Sequence, residues 1–68
     1  MREIFRWIDK DGGIHEYRFT NNVCDGFFSN GIEAHQEQNY KGRLMDVNWR
    51  EGLKLAGFDL LTKEDKGV

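Results

Sequence analysis

The sequence predicts a small α+β domain: an antiparallel sheet of three or four strands, made of two hairpins, with one C-terminal helix packed on one face. Two runs of β-forming residues flank a Gly-containing turn sequence near the N-terminus. A later segment combines helix periodicity with a start signal and a stop signal. The length of 68 residues limits the chain to one domain, residues 1–68, with a core between one sheet and one helix.

The first hairpin is predicted within residues 3–20. The segments Glu3 to Asp9 and Ile14 to Thr20 are rich in β-branched and aromatic residues, which favour strands. Between them, Lys10 to Gly13 supplies the Asp and Gly residues that tolerate the positive φ angles of a tight turn. These two segments are therefore expected to pair as antiparallel neighbours.

The register of this hairpin has two solutions. A two-residue loop pairs Ile8 with His15, whereas a three-residue loop pairs Trp7 with Tyr17. We favour the second, because cross-strand aromatic pairs contribute about 0.2–1 kcal/mol each. It gathers four aromatic residues on one face: Phe5, Trp7, Tyr17 and Phe19. A slip of one residue would exchange the two faces.

A second hairpin is predicted around Asn30-Gly31, which reads as a type I′ turn. It would join Val23–Ser29 to residues 32–35, with Ser29 opposite Ile32. The alternative makes Asn30 the N-cap of a short helix that runs to Tyr40, with Glu33 completing the cap. We favour the hairpin, because the apolar face of such a helix would be very small.

The helix is predicted within the segment from Asp46 to Phe58. Asp46 suits the N-cap, and Trp49, Leu53 and Ala56 recur with helix spacing on one face. Gly57 supplies the left-handed residue that ends a helix. Residues 58–62 are expected to form a last short strand or an apolar tail, and residues 63–68 a frayed tail.

The composition does not indicate a particular class of ligand. The net charge is −2, from 12 acidic and 10 basic residues, so general attraction to nucleic acid or to anionic membranes is not expected. The single cysteine cannot form an internal disulfide. No apolar run approaches the ~20 residues of a membrane span, and no signal-peptide pattern is visible. We expect a complete, soluble, cytoplasmic protein.

Catalysis and metal binding are not expected. Cys24, His15 and His35 lack the paired spacing of zinc ligands. Adding Asp25 or Glu37 could complete a ligand set, but almost any sequence offers that much. Cys24 is also a poor nucleophile, because the neighbouring Asp25 disfavours the thiolate. The chain lacks the short phosphate-loop, nucleophile-elbow and metalloprotease motifs. The sequence therefore predicts a protein that is not an enzyme and needs no cofactor or metal.

Apolar residues on both faces of the first strand point instead to protein binding. Ile4 and Ile8 alternate with Phe5 and Trp7, and one helix can cover only one face. An apolar patch left open marks a surface for a partner or for self-association. The expected function is a small protein-binding module of the phage- or mobile-element-type regulator or inhibitor kind, docking an aromatic sheet face or edge on a partner or a second copy. The candidate contact residues are Phe5, Trp7, Phe27 and Phe28.

A nucleic-acid-binding protein is the alternative. Five residues before and on the helix could form a basic strip with one aromatic side chain: Tyr40, Lys41, Arg43, Arg50 and Lys54. Such a strip is the footprint expected for phosphate contacts. Acidic residues interrupt it, as they do on an ordinary solvated surface.

Overall fold

The computed structural model describes residues 1–34 and 38–64. It confirms the predicted α+β fold and adds one strand to the sheet. The elements in chain order are β1 (Arg2–Ile8), β2 (Ile14–Thr20), β3 (Val23–Ser29), β4 (Ile32–Glu33), α1 (Val47–Leu55) and β5 (Asp59–Glu64). The strand order across the sheet is β4-β3-β2-β1-β5, and every neighbouring pair is antiparallel.

The β1–β2 hairpin has neither of the two predicted registers. Trp7 lies opposite His15 and Ile8 lies opposite Ile14, so residues 9–13 form a longer loop. The cause is Asp9, whose carboxylate accepts hydrogen bonds from the N–H groups of Asp11 (2.9 Å) and Gly13 (2.7 Å) and so holds the wider turn. The favoured register was wrong by two residues. Because side chains alternate with a period of two, the four aromatic residues still share one face.

The second hairpin is formed as predicted. Asn30 and Gly31 both have positive φ angles, 53° and 83°, and Ser29 lies opposite Ile32. The alternative helix over residues 31–40 is wrong for its first turn, because Ile32–Glu33 is strand. Residues 35–37 lie outside the described part of the chain.

The outer side of β3 is shared by two short segments. Its second half pairs with β4, while its first half pairs with the loop that leads to the helix. In that loop, Val23 bridges Leu44, and the N–H of Cys24 donates to the carbonyl of Arg43 (2.9 Å). A β-bulge and Gly26, with φ of 143°, lie where the two segments change over.

Both ends of α1 are fixed by the residues that predicted them. The Asp46 carboxylate accepts from the N–H of Trp49 (2.7 Å). At the other end, the N–H of Phe58 donates to the carbonyl of Leu53 (2.9 Å), and that of Gly57 donates to Lys54 (3.0 Å). This pair of bonds, with Gly57 at φ 98°, is a Schellman motif.

The core lies between α1 and the face of the sheet that carries the aromatic residues. Four fully buried residues form its centre: Phe5, Phe19, Cys24 and Leu53. Trp49 packs at its edge, as the helix periodicity predicts, with its ring centroid 5.1 Å from that of Phe19. Ala56 does not belong to this face, because it is the exposed C-cap residue.

The last strand begins directly after the Schellman motif and returns along β1. It reaches Glu64, so the first two residues of the predicted frayed tail are strand, and residues 65–68 lie outside the described chain. Within residues 1–34 and 38–64, no segment pairs with the outer edge of β5. The described helix is too short and too polar to cross a membrane.

Candidate functional site

The candidate site is the outer edge of β5 together with the cleft beside it. Ile4 pairs with Thr62 and Phe5 pairs with Leu60, so Leu61 is an additional residue in a β-bulge. Bulges at sheet edges redirect side chains, and Leu61 lines a cleft of about 230 Å³. The cleft is lined by Arg6, Trp7, Ile8, Gly57, Asp59 and Leu61.

The walls of this cleft are apolar and exposed, and a charge of each sign lies at its margin. The exposed fractions are 41% for Trp7, 57% for Ile8 and 49% for Leu61. The Trp7 ring lies close to the helix end, because a Cβ atom at Gly57 would be 3.4 Å from Trp7 Cδ1. Gly57 therefore both ends the helix and lets this ring approach the backbone.

The four predicted protein-binding residues do not form one surface. Phe5 is completely buried and makes an edge-to-face contact with Phe19, with ring centroids 5.7 Å apart, so its prediction as a contact residue is wrong. Phe27 is half-buried against Tyr17, at 4.6 Å between centroids. Phe28 lies on the opposite face of the sheet. Of the four, Trp7 alone lines the cleft beside β5.

The sheet face away from the helix is less apolar than the sequence suggested. The Arg18 guanidinium lies 4.0 Å from the centre of the Phe28 ring and covers it. Glu16, only 5% exposed, accepts hydrogen bonds from both Arg6 and Arg18. Burial raises the pKa of Glu16, but the two guanidinium groups outweigh burial and hold it below its ordinary value. This face is therefore an ion-paired surface with apolar residues between the charges.

A shallow hollow of about 320 Å³ opens on the same face. Arg2 and Arg18 stand over Ile4 and Phe28 there, and Asp25 lies at one side. The Asp25 carboxylate accepts a hydrogen bond from the Thr20 hydroxyl (2.7 Å). Charges of both signs line this hollow.

The predicted basic strip is divided by intramolecular contacts. Arg50 donates to the buried carboxylate of Glu3 (3.1 Å), and its guanidinium lies 5.3 Å from the centre of the Phe5 ring. Lys41 pairs with Glu33 (2.7 Å), and this hydrogen bond raises the pKa of Lys41. Both cations are therefore already neutralised within the molecule.

The remaining members of the strip also have separate roles. Tyr40 packs on Trp49, with ring centroids 5.1 Å apart, and Arg43 lies over both rings. Lys54 is exposed in the last turn of α1, where a cation interacts favourably with the helix dipole. The structure thus brings Tyr40 and Arg43 together but leaves the five residues without a continuous basic surface.

The sulfur of Cys24 is part of the core. Cys24 is 2% exposed, and burial raises the pKa of its thiol. The described residues contain no group of three or more His, Cys, Asp or Glu residues placed to hold a metal ion. Two of the residues considered for metal binding, His35 and Glu37, lie outside the described ranges.

Sequence reasoning missed a hydrogen-bonded chain of three polar side chains, Asp9, His15 and Ser29. His15 Nε2 is 2.9 Å from Asp9 Oδ2, and His15 Nδ1 is 2.9 Å from Ser29 Oγ. The hydrogen bond from His15 is the main cause that lowers the pKa of Asp9. Only the strand pairing could have revealed these contacts. His15 lies directly opposite Ser29, and it is the second residue of β2 after the turn that contains Asp9.

Comparisons with protein-family models, with curated protein sequences and with solved structures found no significant similarity to this chain.

Proposed function

We propose that this chain is a small protein-binding module that takes up an extended strand of a partner protein along the outer edge of β5. The observation that carries this proposal is the outer edge of β5, which no other described segment pairs with, and the bulged Leu61 beside a cleft walled by Trp7 and Ile8. An added strand would complete the backbone hydrogen bonds of the edge, and a partner side chain would fill the cleft.

The exposure of the cleft supports this use. The core of a chain of this size contributes only about 3–5 kcal/mol of stability. Leaving a Trp, an Ile and a Leu partly in water therefore gives up a substantial share of the available free energy of burial. Edge strands are commonly protected by proline, by short length or by a covering segment. β5 has six residues and no proline.

The site also indicates which residues the partner should carry. Asp59 flanks the apolar walls, whereas Arg6 is already paired with Glu16, so a peptide with one apolar anchor next to a basic residue fits best. A small regulator or inhibitor can act in this way, because binding a strand of the partner protein requires no catalysis. The single reduced thiol suits the cytoplasm, which we propose as its location.

The test is selection of binders from a library of linear peptides displayed on phage, with the wild-type chain as bait. We expect selected peptides to bind wild type, to bind Leu61→Lys at least about tenfold more weakly, and to protect β5 amides from hydrogen exchange. Val47→Lys is the matched control, because Val47 is an exposed apolar residue on the first turn of α1.

Two outcomes would contradict the proposal. One is that no peptide is selected while sedimentation shows a monomer at every concentration. The other is that Val47→Lys and Leu61→Lys weaken binding equally. Binding to DNA or RNA that falls steeply with salt and is lost on changing Arg43 and Lys54 to Glu would favour the nucleic-acid alternative instead.

A further inference from the structure

The Asp9–His15–Ser29 chain fixes the direction of its hydrogen bonds. The Asp9 carboxylate already accepts from the N–H groups of Asp11 and Gly13. An ionised carboxylate can only accept, so the neutral His15 ring carries its proton on Nε2, which faces Asp9. His15 Nδ1 is then the acceptor, and the Ser29 hydroxyl donates to it. The imidazole lone pair therefore points at the one serine of the chain.

The base in this chain is held firmly. The His15 ring lies between Trp7 and Phe27, with centroid distances of 5.0 Å and 6.2 Å and interplanar angles of 29° and 6°. His15 and Ser29 are also direct partners in the β2–β3 ladder. A nucleophile and a base that are set on neighbouring strands keep their geometry without reorganisation.

We propose that Ser29 is a nucleophile, activated by His15 and positioned by Asp9, that accepts acyl groups from activated esters. Ser29 Oγ attacks the ester carbonyl carbon while its proton passes to His15 Nδ1, and Asp9 stabilises the imidazolium through Nε2–H. Collapse of the tetrahedral adduct breaks the bond to the leaving alkoxide or phenoxide, which takes the proton from His15. The product is an ester on Ser29, which water can later cleave by the same base.

The arrangement differs from that of the familiar serine hydrolases in two ways that define the substrate class. The two imidazole nitrogens have exchanged places, which leaves their acid–base chemistry unchanged. The N–H of Asn30, next to the nucleophile, donates to the carbonyl of Ile14 (2.7 Å), so it is not free to stabilise an oxyanion. Esters with good leaving groups are therefore the substrates, and amides are not.

An apolar contact is available for the acyl chain. Ile32 lies opposite Ser29 in β4 and is 72% exposed on the same face of the sheet. A short alkyl chain bound to Ser29 would cover this side chain and remove its surface from water. Acyl groups of a few carbons are thus preferred over acetyl.

The experiment is reaction of the full chain with p-nitrophenyl acetate and p-nitrophenyl butyrate, followed by p-nitrophenol release and by mass-spectrometric mapping of the adduct. We expect a burst of up to one equivalent, with the acyl group on Ser29. Ser29→Ala should lose this adduct, and His15→Gln should slow its formation by about 10²–10⁴-fold.

Asp9 acts through His15, so its test is a pH profile. The wild-type acylation rate should rise with pH in one step, and His15→Gln should lack that step. Asp9→Asn should shift the step and lower the plateau, because its amide no longer fixes the tautomer. A loss of stability alone would lower the plateau but would leave the position of the step unchanged.

The matched control is Thr20→Ser, which places a serine hydroxyl beside Asp25 but away from any imidazole of the described chain. Its new hydroxyl should stay unlabelled. The proposal is overturned if wild type gives no adduct on Ser29, if His15→Gln labels as fast as wild type, or if the rate is independent of pH. Because the first of these readings needs only the wild-type chain, a variant that fails to fold does not remove the test.

Discussion

Replacing Glu16 with Gln tests whether the ion-paired face of the sheet supports the fold. Glu16 is 5% exposed and accepts from Nε and Nη2 of both Arg6 and Arg18, at 2.5–3.0 Å. A glutamine keeps one acceptor oxygen and turns an amino group toward the second guanidinium. Each lost charge-assisted bond is worth about 1.5–3 kcal/mol.

The net effect is smaller than the sum of these bonds. The side chains of Arg6 and Arg18 are 33% and 36% exposed, so they regain water when they lose the carboxylate. We therefore expect Glu16→Gln to lower the free energy of unfolding by about 2–3 kcal/mol, against about 3–5 kcal/mol for a domain of this size. With a urea m-value of about 1 kcal/mol/M, the midpoint should fall by roughly 2–3 M.

The assay is urea unfolding followed by tryptophan fluorescence, with Glu51→Gln as the control, because Glu51 is exposed on α1. The pH dependence gives a second reading. Because the folded pKa of Glu16 lies below its ordinary value of 4.5, its contribution is present above pH 4.5 and is lost as the pH falls through the folded pKa. The difference between wild type and Glu16→Gln should shrink over that range. A midpoint change of less than about 0.5 M, or a difference that is constant down to pH 2, would refute the reasoning.

Three further substitutions and one thiol-labelling experiment probe the helix and the core. Asp46→Ala removes the N-cap and should lower the free energy of unfolding by about 1 kcal/mol in the same urea assay. Gly57→Ala, at φ 98°, should lower it by about 1–2 kcal/mol and alter the fluorescence of the tryptophan packed against it; an unchanged emission would contradict that contact. Arg50→Met leaves the buried Glu3 unpaired and should cost about 3 kcal/mol, most of it regained by adding Glu3→Gln; no recovery would exclude the ion pair as the cause. Cys24 should react with a thiol reagent far more slowly in water than in urea, and equal rates would show that the thiol is not buried.

The parts of the fold that could be predicted from the sequence are those encoded within a few residues. The Asp46 carboxylate fixes the start of the helix, and the positive φ angle of Gly57 fixes its end. Asn30-Gly31 fixes its turn through positive φ angles in the same way. The β1–β2 register could not be predicted, because it depends on where the Asp9 carboxylate finds its donors. That choice becomes visible only after the loop has folded.

The candidate sites depend still more on long-range pairing. Trp7 was predicted as a contact residue and lines the cleft, but its neighbour Leu61 comes from a strand that pairs with β1 across most of the chain. Ser29 meets His15 only when the β2–β3 register is known. Arg50 could not be recognised as paired from the sequence, because its partner Glu3 is 47 residues away along the chain.

The two margins of the sheet differ in how far an assembly can extend. Among the described residues, the sheet ends on one side in β4, which has two residues, and on the other side in β5, which has six. The β4 edge is therefore too short to pair with another strand as extensively as the β5 edge can. If a partner strand binds at β5 as proposed, we expect one partner to one molecule, because the two-residue β4 gives little edge for growth into a filament.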